Sequence, residues 1–404
     1  MNFELFIARR LSSSKLNKNY YSGPIKIICI LSIAISLIIM IIAISSGLGL
    51  KNAIAQKLIN LESHIQISHI NNSGESESIQ LKEKHITNIH NIEGLKYLYP
   101  ITKKSGIISH NNNIEGVLLK GITSEYKTNM IKSSMIQGSY FNEEENNQVL
   151  ISYKQANALK LKAGESCILY FLSKNNNIQK RKFIVQGIFK MENEMFDELY
   201  AFTKIGTIQK INKWKSQDFT NYEITLDKNN RSDKIAQKIN KILPYNLVAI
   251  SIENKFFGVF SWIQLFNKNT SFILIIMMII CVINMTNALL ILVLERTKMI
   301  GVLKSCGMTN KSILKIFTYN SLKMSLLGIM IGNTIGITLC LIQQKTQIIQ
   351  LDSASYFVNY LPIFLDIKLL LTINIITFAI IQISLIIPYY VMRKLSPSNI
   401  LKIN

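Results

Sequence analysis

The sequence predicts a membrane protein with four transmembrane α-helices and a large extracytoplasmic α+β domain inserted between helices 1 and 2. Three observations support this prediction. Of the 404 residues, 49% are hydrophobic and only 17% are charged. The apolar residues cluster in four long runs that lack Asp, Glu, Lys and Arg. A long stretch of mixed polar sequence separates the first two runs, which argues against both a soluble protein and a simple helical bundle.

Each charge-free run is long enough to cross a bilayer as a helix. A helix rises about 1.5 Å per residue, so about 18 to 20 apolar residues span the hydrocarbon layer. The first run is too long and too far from the N-terminus for a secretion signal, so we expect it to remain as an anchor. The runs cover residues 27–50, 269–294, 324–344 and 369–392.

The runs divide the chain into nine predicted segments. The segment between helices 1 and 2 is long enough to bury a core of its own. The predicted segments are a cytoplasmic amphipathic lead-in (1–24), helix 1 (25–50), the periplasmic α+β domain (51–268), helix 2 (269–294), a cytoplasmic loop (295–323), helix 3 (324–344), a short periplasmic loop (345–368), helix 4 (369–392) and a cytoplasmic tail (393–404).

The charges of the short segments predict the orientation, because positive residues of short loops favour the cytoplasm. Residues 1–26, the loop after helix 2 and the tail together carry 14 basic and 2 acidic residues. The short loop between helices 3 and 4 is neutral. Both termini are therefore expected in the cytoplasm, and the large domain outside.

The large domain holds 29 basic and 20 acidic residues, so most of the net charge of +21 reflects topology. This balance gives no support to nucleic-acid binding. Helical patterns intermix with alternating, strand-like patterns, which predicts an α+β domain with a hairpin around 175–177. Strands are expected at 64–68, 117–122, 149–153, 167–172, 182–189 and 222–226, and helices at 83–92, 154–161 and 233–243.

Several kinds of chemistry lack their motifs. The five histidines are badly spaced for a metal site and no cysteine or paired carboxylate completes one, so no metal is expected. The sequence has no phosphate-binding Gly-x4-Gly-Lys-Ser/Thr loop and no hydrolase motif. The four runs contain no charged residue of the kind that marks an ion pathway. We therefore expect neither an enzyme nor an ion-coupled transporter, and no catalytic or cofactor-binding residues.

The cytoplasmic loop has a distinctive order of residues, in which Glu-Arg is followed by Ile-Gly and then by a second glycine. It resembles the FtsX-like, MacB-type permeases of ABC transporters, whose loop has the form Glu-Arg-x-x-x-Ile-Gly-x-Leu-Lys-x-x-Gly. The resemblance implies a coupling helix docked in a groove of a separate ATPase chain. Met299 and the pair Ser305-Cys306 depart from the usual residues of the family. The residues implied in coupling are Glu295, Arg296, Ile300, Gly301, Lys304 and Gly307.

Weaker similarities follow in the family's order along the whole chain. They lie at residues 6–10, 149–165, 185–197, 351–362 and 395–401. The segment at 351–362 resembles the lipoprotein-releasing (LolC/LolE-type) members. The resemblance implies a multi-pass protein of the bacterial inner membrane. Its implied partners are an ABC ATPase dimer that binds the ATP, a second identical or related permease subunit, a lipoprotein cargo and a periplasmic lipoprotein carrier.

Two further sets of residues are predicted within the membrane. Gly328, Gly332 and Gly336 recur every fourth residue in helix 3, a spacing that lets another helix approach closely. In the resembled family helices 1 and 2 flank the cargo. We therefore expect Met40 in helix 1 and Ile279 in helix 2 to line a cargo cleft.

The leading functional hypothesis is a permease subunit that extracts lipoproteins from the outer leaflet, using ATP hydrolysed by its partner. One alternative is a tripartite efflux permease of the macrolide-exporter type. A second is an FtsX-like division regulator that relays ATPase motion to cell-wall hydrolases, although its outer domain is generally much smaller than segment 51–268. An autonomous enzyme or a scaffold is the remaining alternative.

Overall fold

The computed structural model describes residues 4, 6–7, 22–71, 77–142, 147–172, 177–191, 194–227, 232–352 and 358–394. The helices of the described chain are numbered in order. They are α1 (Ser22–Glu62), α2 (Glu83–His90), α3 (Thr128–Ser133), α4 (Tyr153–Leu159), α5 (Glu194–Leu199), α6 (Ile205–Asn212), α7 (Ser232–Asn240), α8 (Ile252–Lys255), α9 (Phe257–Glu295), α10 (Thr297–Ser305), α11 (Asn310–Thr346), α12 (Ile367–Ile383) and α13 (Ile386–Lys394).

The strands of the described residues all lie between α1 and α8. They are β1 (Ile65–His69), β2 (Leu95–His110), β3 (Asn113–Ile122), β4 (Met135–Gly138), β5 (Gln148–Ser152), β6 (Ser166–Leu172), β7 (Ile178–Phe189), β8 (Tyr200–Lys204), β9 (Asn221–Leu226) and β10 (Leu247–Ser251).

The chain forms two compact units. We call them the helical unit and the α+β unit. The helical unit comprises Met1–Lys51, Ile263–Gln350 and Tyr360–Asn404, and the α+β unit comprises Asn52–Trp262 and Leu351–Asn359.

In the described part of the chain, four helical segments are long and apolar enough to cross a membrane. The first three contain the predicted runs, and the fourth, Ile367–Tyr390, overlaps most of the run at 369–392. Helix α1 has 41 residues, which corresponds to about 60 Å and is roughly twice the thickness of the hydrocarbon layer. The fourth segment is divided between α12 and α13, with a turn at Ser384 and Leu385. The predicted fold class, four membrane helices with an α+β domain between the first two, is confirmed.

Six strands of the α+β unit pair into a closed ring in the order β2, β3, β8, β5, β7, β6 and back to β2. Alternate residues of each strand point to the same face. On the core face Val117 of β3, Leu169 of β6 and Phe183 of β7 are buried together in one apolar cluster. The ring is therefore a small barrel with a filled core.

Strands β1, β9 and β10 continue this barrel into an open sheet, and β4 pairs antiparallel with β7. The first half of β2 pairs with β9, which pairs with β1, which pairs with β10. Helices α2 and α7 pack on this sheet through buried Ile89 and Ile239. Strand β1 follows α1 directly and pairs antiparallel with β10 at Ile65 and Ser251. The first and the last strand of the α+β unit are thus neighbours in the sheet.

Some expectations fall outside the described residues. Strands β6 and β7 pair as the predicted hairpin requires, with Leu172 opposite Ile178, but residues 173–176 of the turn are not described. Most of the lead-in, part of the short loop at 353–357 and the tail at 395–404 also lie outside.

Candidate functional site: the coupling helix

The segment with the Glu-Arg and Ile-Gly motif folds as the short helix α10, between the long helices α9 and α11. The break before it lies at Arg296, whose backbone leaves helical geometry (φ −104°, ψ 16°). Ile300 and Gly301 are buried. Ile300 packs in one cluster with Ile313 and Phe317 of α11. One face of α10 therefore packs against α11.

The end of α10 is set by Gly307. Its N–H donates to the Lys304 carbonyl and the N–H of Met308 donates to the Leu303 carbonyl, both at 3.0 Å. These two bonds form a Schellman motif, which needs a left-handed residue at this position. Gly307 has φ +86°, a conformation that costs glycine little. Thr309 then caps α11 by accepting a hydrogen bond from the Ser312 N–H at 3.3 Å.

The outer face of α10 is made of residues that sequence reasoning did not select. Lys298, Val302 and Ser305 are exposed and lie at helical spacing on one side. The Val302 side chain is 54% exposed, although it is apolar. Cys306 is exposed next to this row. The motif gave no separate signal for this face, which follows only from the burial of Ile300 and Gly301 on the opposite side of the helix.

The six predicted coupling residues thus differ in their exposure. Ile300 and Gly301 are buried, and Glu295, Arg296 and Lys304 are half-buried. Gly307 is exposed at the turn. All six lie in one short segment, but five of them are buried or half-buried against other residues of this chain. The unusual Met299 also packs against the apolar cluster of the helical unit, where a glutamate would place a charge near buried side chains.

The glycines of α11 lie against α1. A Cβ atom added at Gly328 would be 2.8 Å from Cβ of Ile33, and one at Gly332 would be 3.0 Å from the Ala34 carbonyl oxygen. One at Gly336 would be 3.1 Å from the Ile41 side chain. Side chains larger than hydrogen would therefore force the two helices apart.

The two residues predicted to line a cargo cleft differ in exposure. Ile279 of α9 is 53% exposed. Met40 of α1 is completely buried in a cluster with Cys340 and Leu370. Met40 is therefore not on an open face of this chain. Ile35, five residues earlier in α1, is 55% exposed and marks the outward face of this helix.

Comparison with known families gives two matches. The profile of the MacB-like periplasmic core domain matches residues 27–242, which is more than half of the chain. The profile of the FtsX-like permease C-terminal region matches residues 271–397 and includes α10. The first match covers most of α1 and of the α+β unit, and the second covers the membrane helices that follow, from residue 271 of α9 onward.

Individual relatives are distant but span the chain. The lipoprotein-releasing system transmembrane protein LolE of Haemophilus influenzae is 21% identical and covers 99% of this chain and 99% of its own length. LolC of Buchnera aphidicola is 24% identical over 93% of this chain and 92% of its own. An ABC transporter permease of Methanocaldococcus jannaschii is 23% identical over 78% of this chain and 79% of its own length.

A solved structure, the periplasmic region of MacB from Actinobacillus actinomycetemcomitans, is 16% identical and covers 50% of this chain and 94% of its own, with a TM-score of 0.33. The family matches and the order of the elements agree. The chain belongs to the FtsX-like permeases of ABC transporters, with a MacB-like periplasmic core domain between its first two membrane helices.

Proposed function

We propose that this permease is the membrane subunit of a lipoprotein-releasing ABC complex. Two permease subunits and two ATPase subunits work together, with both termini of the permease in the cytoplasm. ATP binding closes the ATPases, and α10 passes this movement to the membrane helices. The complex extracts an acylated protein from the outer leaflet and delivers it to a periplasmic carrier.

The exposed face of α10 is the observation that best supports the coupling step. Helices that dock in a groove of a partner present apolar anchors on one face. In α10, Val302 is such an anchor, because the opposite face is held by buried Ile300. Lys298 and Ser305 flank Val302 on the exposed side and supply polar contacts for the edge of a groove.

The membrane helices favour extraction of a lipid-linked cargo over ion-driven transport. The charge-free runs contain no Asp, Glu, Lys, Arg or His that could serve a proton or ion pathway. Some pairs of polar side chains within them join different helices. Asn333 of α11 and Asn374 of α12 exchange hydrogen bonds of 2.9 and 3.1 Å. Asn284 of α9 donates to Ser32 of α1. These pairs hold helices together.

The coupling step is tested by Val302→Asp. We expect this change to prevent ATPase association, since a carboxylate would be forced into an apolar groove, while membrane insertion stays normal. Lys311→Asp is the control, because it puts a carboxylate on the exposed first turn of α11, where the helix dipole accepts it. Co-purification of the ATPase and its stimulated hydrolysis are measured. Normal association of the Val302 variant would contradict the docking proposal.

The cargo path is tested by photo-crosslinking. A crosslinking residue at Ile35 or Ile279 should capture an acylated protein, because both side chains are exposed on membrane helices. The same residue at Met40 should capture none, because that position is buried within the chain. Addition of ATP and the ATPase should diminish the adducts. Equal capture at all three positions would contradict a specific path.

Depletion of the protein separates the functional alternatives. A lipoprotein-releasing subunit should leave outer-membrane lipoproteins stranded in the inner membrane when it is depleted. Normal lipoprotein sorting with failed separation of daughter cells would instead identify a division regulator. Normal sorting and division with increased macrolide sensitivity would identify an efflux permease. Localisation of lipoproteins by membrane fractionation is the deciding measurement.

A further inference from the structure

The α+β unit contains an unusual group of buried ionisable side chains around the last turn of α1. We call it the buried charge cluster. The side chains of its two carboxylates, Glu62 and Glu223, are 1% and 0% exposed. Burial of a charge is costly unless it is paired and hydrogen-bonded. The cluster comprises Glu62, Lys103, Lys120, Lys127, Glu223 and Lys255, with the phenols of Tyr126 and Tyr200.

The carboxylate of Glu62, the last residue of α1, makes four contacts with three side chains. Lys103 of β2 places its ammonium 2.7 Å from both carboxylate oxygens. Lys255 of α8 lies 2.8 Å from Oε2, and the Tyr200 hydroxyl of β8 donates to Oε1. Strands β2 and β8 belong to the barrel, whereas α8 leads into α9. One carboxylate thus joins the end of α1 to the barrel and to the segment that enters the next membrane helix.

Lysines also donate to backbone carbonyls at the end of α1. The Lys127 ammonium, from the turn after β3, donates to the carbonyls of Ile59 at 2.9 Å and Asn60 at 2.6 Å. Lys120 of β3 donates to the Leu61 carbonyl at 2.7 Å. The C-terminal end of a helix carries partial negative charge and attracts cations. This attraction helps to balance a cluster in which lysines outnumber carboxylates.

Glu223 of β9 completes the arrangement. Lys120 lies 2.7 Å from its Oε1, and the Tyr126 hydroxyl donates to its Oε2 at 2.7 Å. The hydroxyl of Ser63 donates to the same oxygen at 3.2 Å. Ser63 is the first residue after α1 and has φ +63°, an uncommon conformation for a residue with a side chain. The contacts therefore begin on the helix and continue into the residue that follows it.

Hydrophobic packing alone would hold a helix against a barrel, and replacing a buried ion pair with apolar side chains is often neutral for stability. Charged hydrogen bonds differ because they require a defined direction and distance. In the cluster they fix the axis and the end of α1 with respect to β2, β3 and β8. An apolar contact would allow the helix end to slide or rotate.

We propose that the buried charge cluster is the element that transmits movement of α1 to the barrel, with Glu62 as its central positioning residue. This inference rests on the proposed function in one respect, since the ATPase is the source of the movement. Helix α1 runs without a break from Ser22 to Glu62, so a tilt or rotation of the helix reaches Glu62 directly. The barrel then moves with the helix.

The test uses the full chain in lipid nanodiscs, with spin labels at Gln56 on the exposed side of α1 and at Lys180 on the exposed side of β7. Cys306 is replaced by serine, because the other four cysteines are buried. Pulsed electron spin resonance then gives the distribution of distances between α1 and the barrel. Glu62→Gln keeps the shape and removes the charge, and Tyr200→Phe removes a single hydroxyl with little risk to folding.

Glu198→Gln is the matched control, because Glu198 forms an exposed pair with Lys154 at 2.8 Å. We expect a narrow distribution in the parent chain and the control. It should broaden in the Tyr200 variant and more strongly in the Glu62 variant. In the complex with its ATPase, both variants should hydrolyse ATP normally but release several-fold less lipoprotein per ATP.

Unchanged distance distributions in both variants would overturn the proposal, as would normal release per ATP in a chain whose distribution has broadened. If the parent complex releases no lipoprotein, the proposed function fails. The spin-label measurement then still decides whether the cluster fixes α1 to the barrel. A Glu62 variant that does not fold leaves the decision to the Tyr200 variant.

Discussion

The ammonium of Lys127 donates to two backbone carbonyl oxygens at the end of α1. Among the described residues, no carboxylate lies at contact distance from this ammonium. Burial lowers the pKa of Lys127 from 10.5 to about 7. Between these values the unfolded chain binds a proton that the folded chain lacks. The free energy of unfolding should therefore rise with pH from about 7 to 10.5, by at most about 1.4 kcal/mol per pH unit.

Lys127→Gln isolates this contribution, because glutamine does not titrate. We expect the melting temperature of the parent chain, relative to this variant, to increase across that pH range and to be flat below pH 7. The neutral lysine keeps hydrogens for both carbonyls, so the contact survives deprotonation. A constant difference between the two proteins from pH 6 to 10 would show that Lys127 titrates as an exposed lysine does.

Residue roles were predictable from the sequence only where a motif or a spacing existed. The order of residues from Glu295 to Gly307 indicated the coupling helix, but not that Ile300 and Gly301 face inward. The partners of Glu62 were not predictable. They come from strands distant in the sequence, and a lone glutamate after an apolar helix looks like an ordinary solvent-exposed residue.

Helices α1 and α11 pack closely through the glycines of α11, so adding a methyl group there should be destabilising. In Gly328→Ala the new Cβ would lie 2.8 Å from the Ile33 side chain. Overpacking of this kind costs about 1–3 kcal/mol. Gly258→Ala is the matched control, because nothing lies within 4 Å of its added Cβ. Thermal unfolding in detergent should show a lower midpoint for the Gly328 variant only, and equal midpoints would contradict close packing.

Most elements were predictable because each has its own periodicity, and β2 shows where this fails. The strand contains Pro100 and the pair Lys103-Lys104, which are uncommon in a central strand. Lys103 is tolerated there because Glu62 pairs with it. Strand β8 is short and almost wholly buried, so it lacks the alternation that marks a strand. Both elements depend on partners far away in the sequence.

The organisation of the whole molecule was predictable because membrane helices differ so strongly in composition from the rest of the chain. Closure of the barrel was not predictable. It depends on β2 pairing with both β3 and β6, and on parallel pairing of β3 with β8 and of β5 with β7. Pairings between distant segments leave no signal in local hydrophobic patterns.

The orientation of the molecule remains a prediction from charge, and its native cysteines allow a direct test. Cys306 is exposed and the other four cysteines are buried. If the loop after α9 is cytoplasmic, a membrane-impermeant maleimide should label inverted vesicles at Cys306 but not spheroplasts. Cys306→Ser should abolish this labelling. In that background Lys180→Cys, on the exposed face of β7, should react in spheroplasts. Labelling of Cys306 in intact spheroplasts would show the opposite topology, in which α10 has no access to a cytoplasmic ATPase.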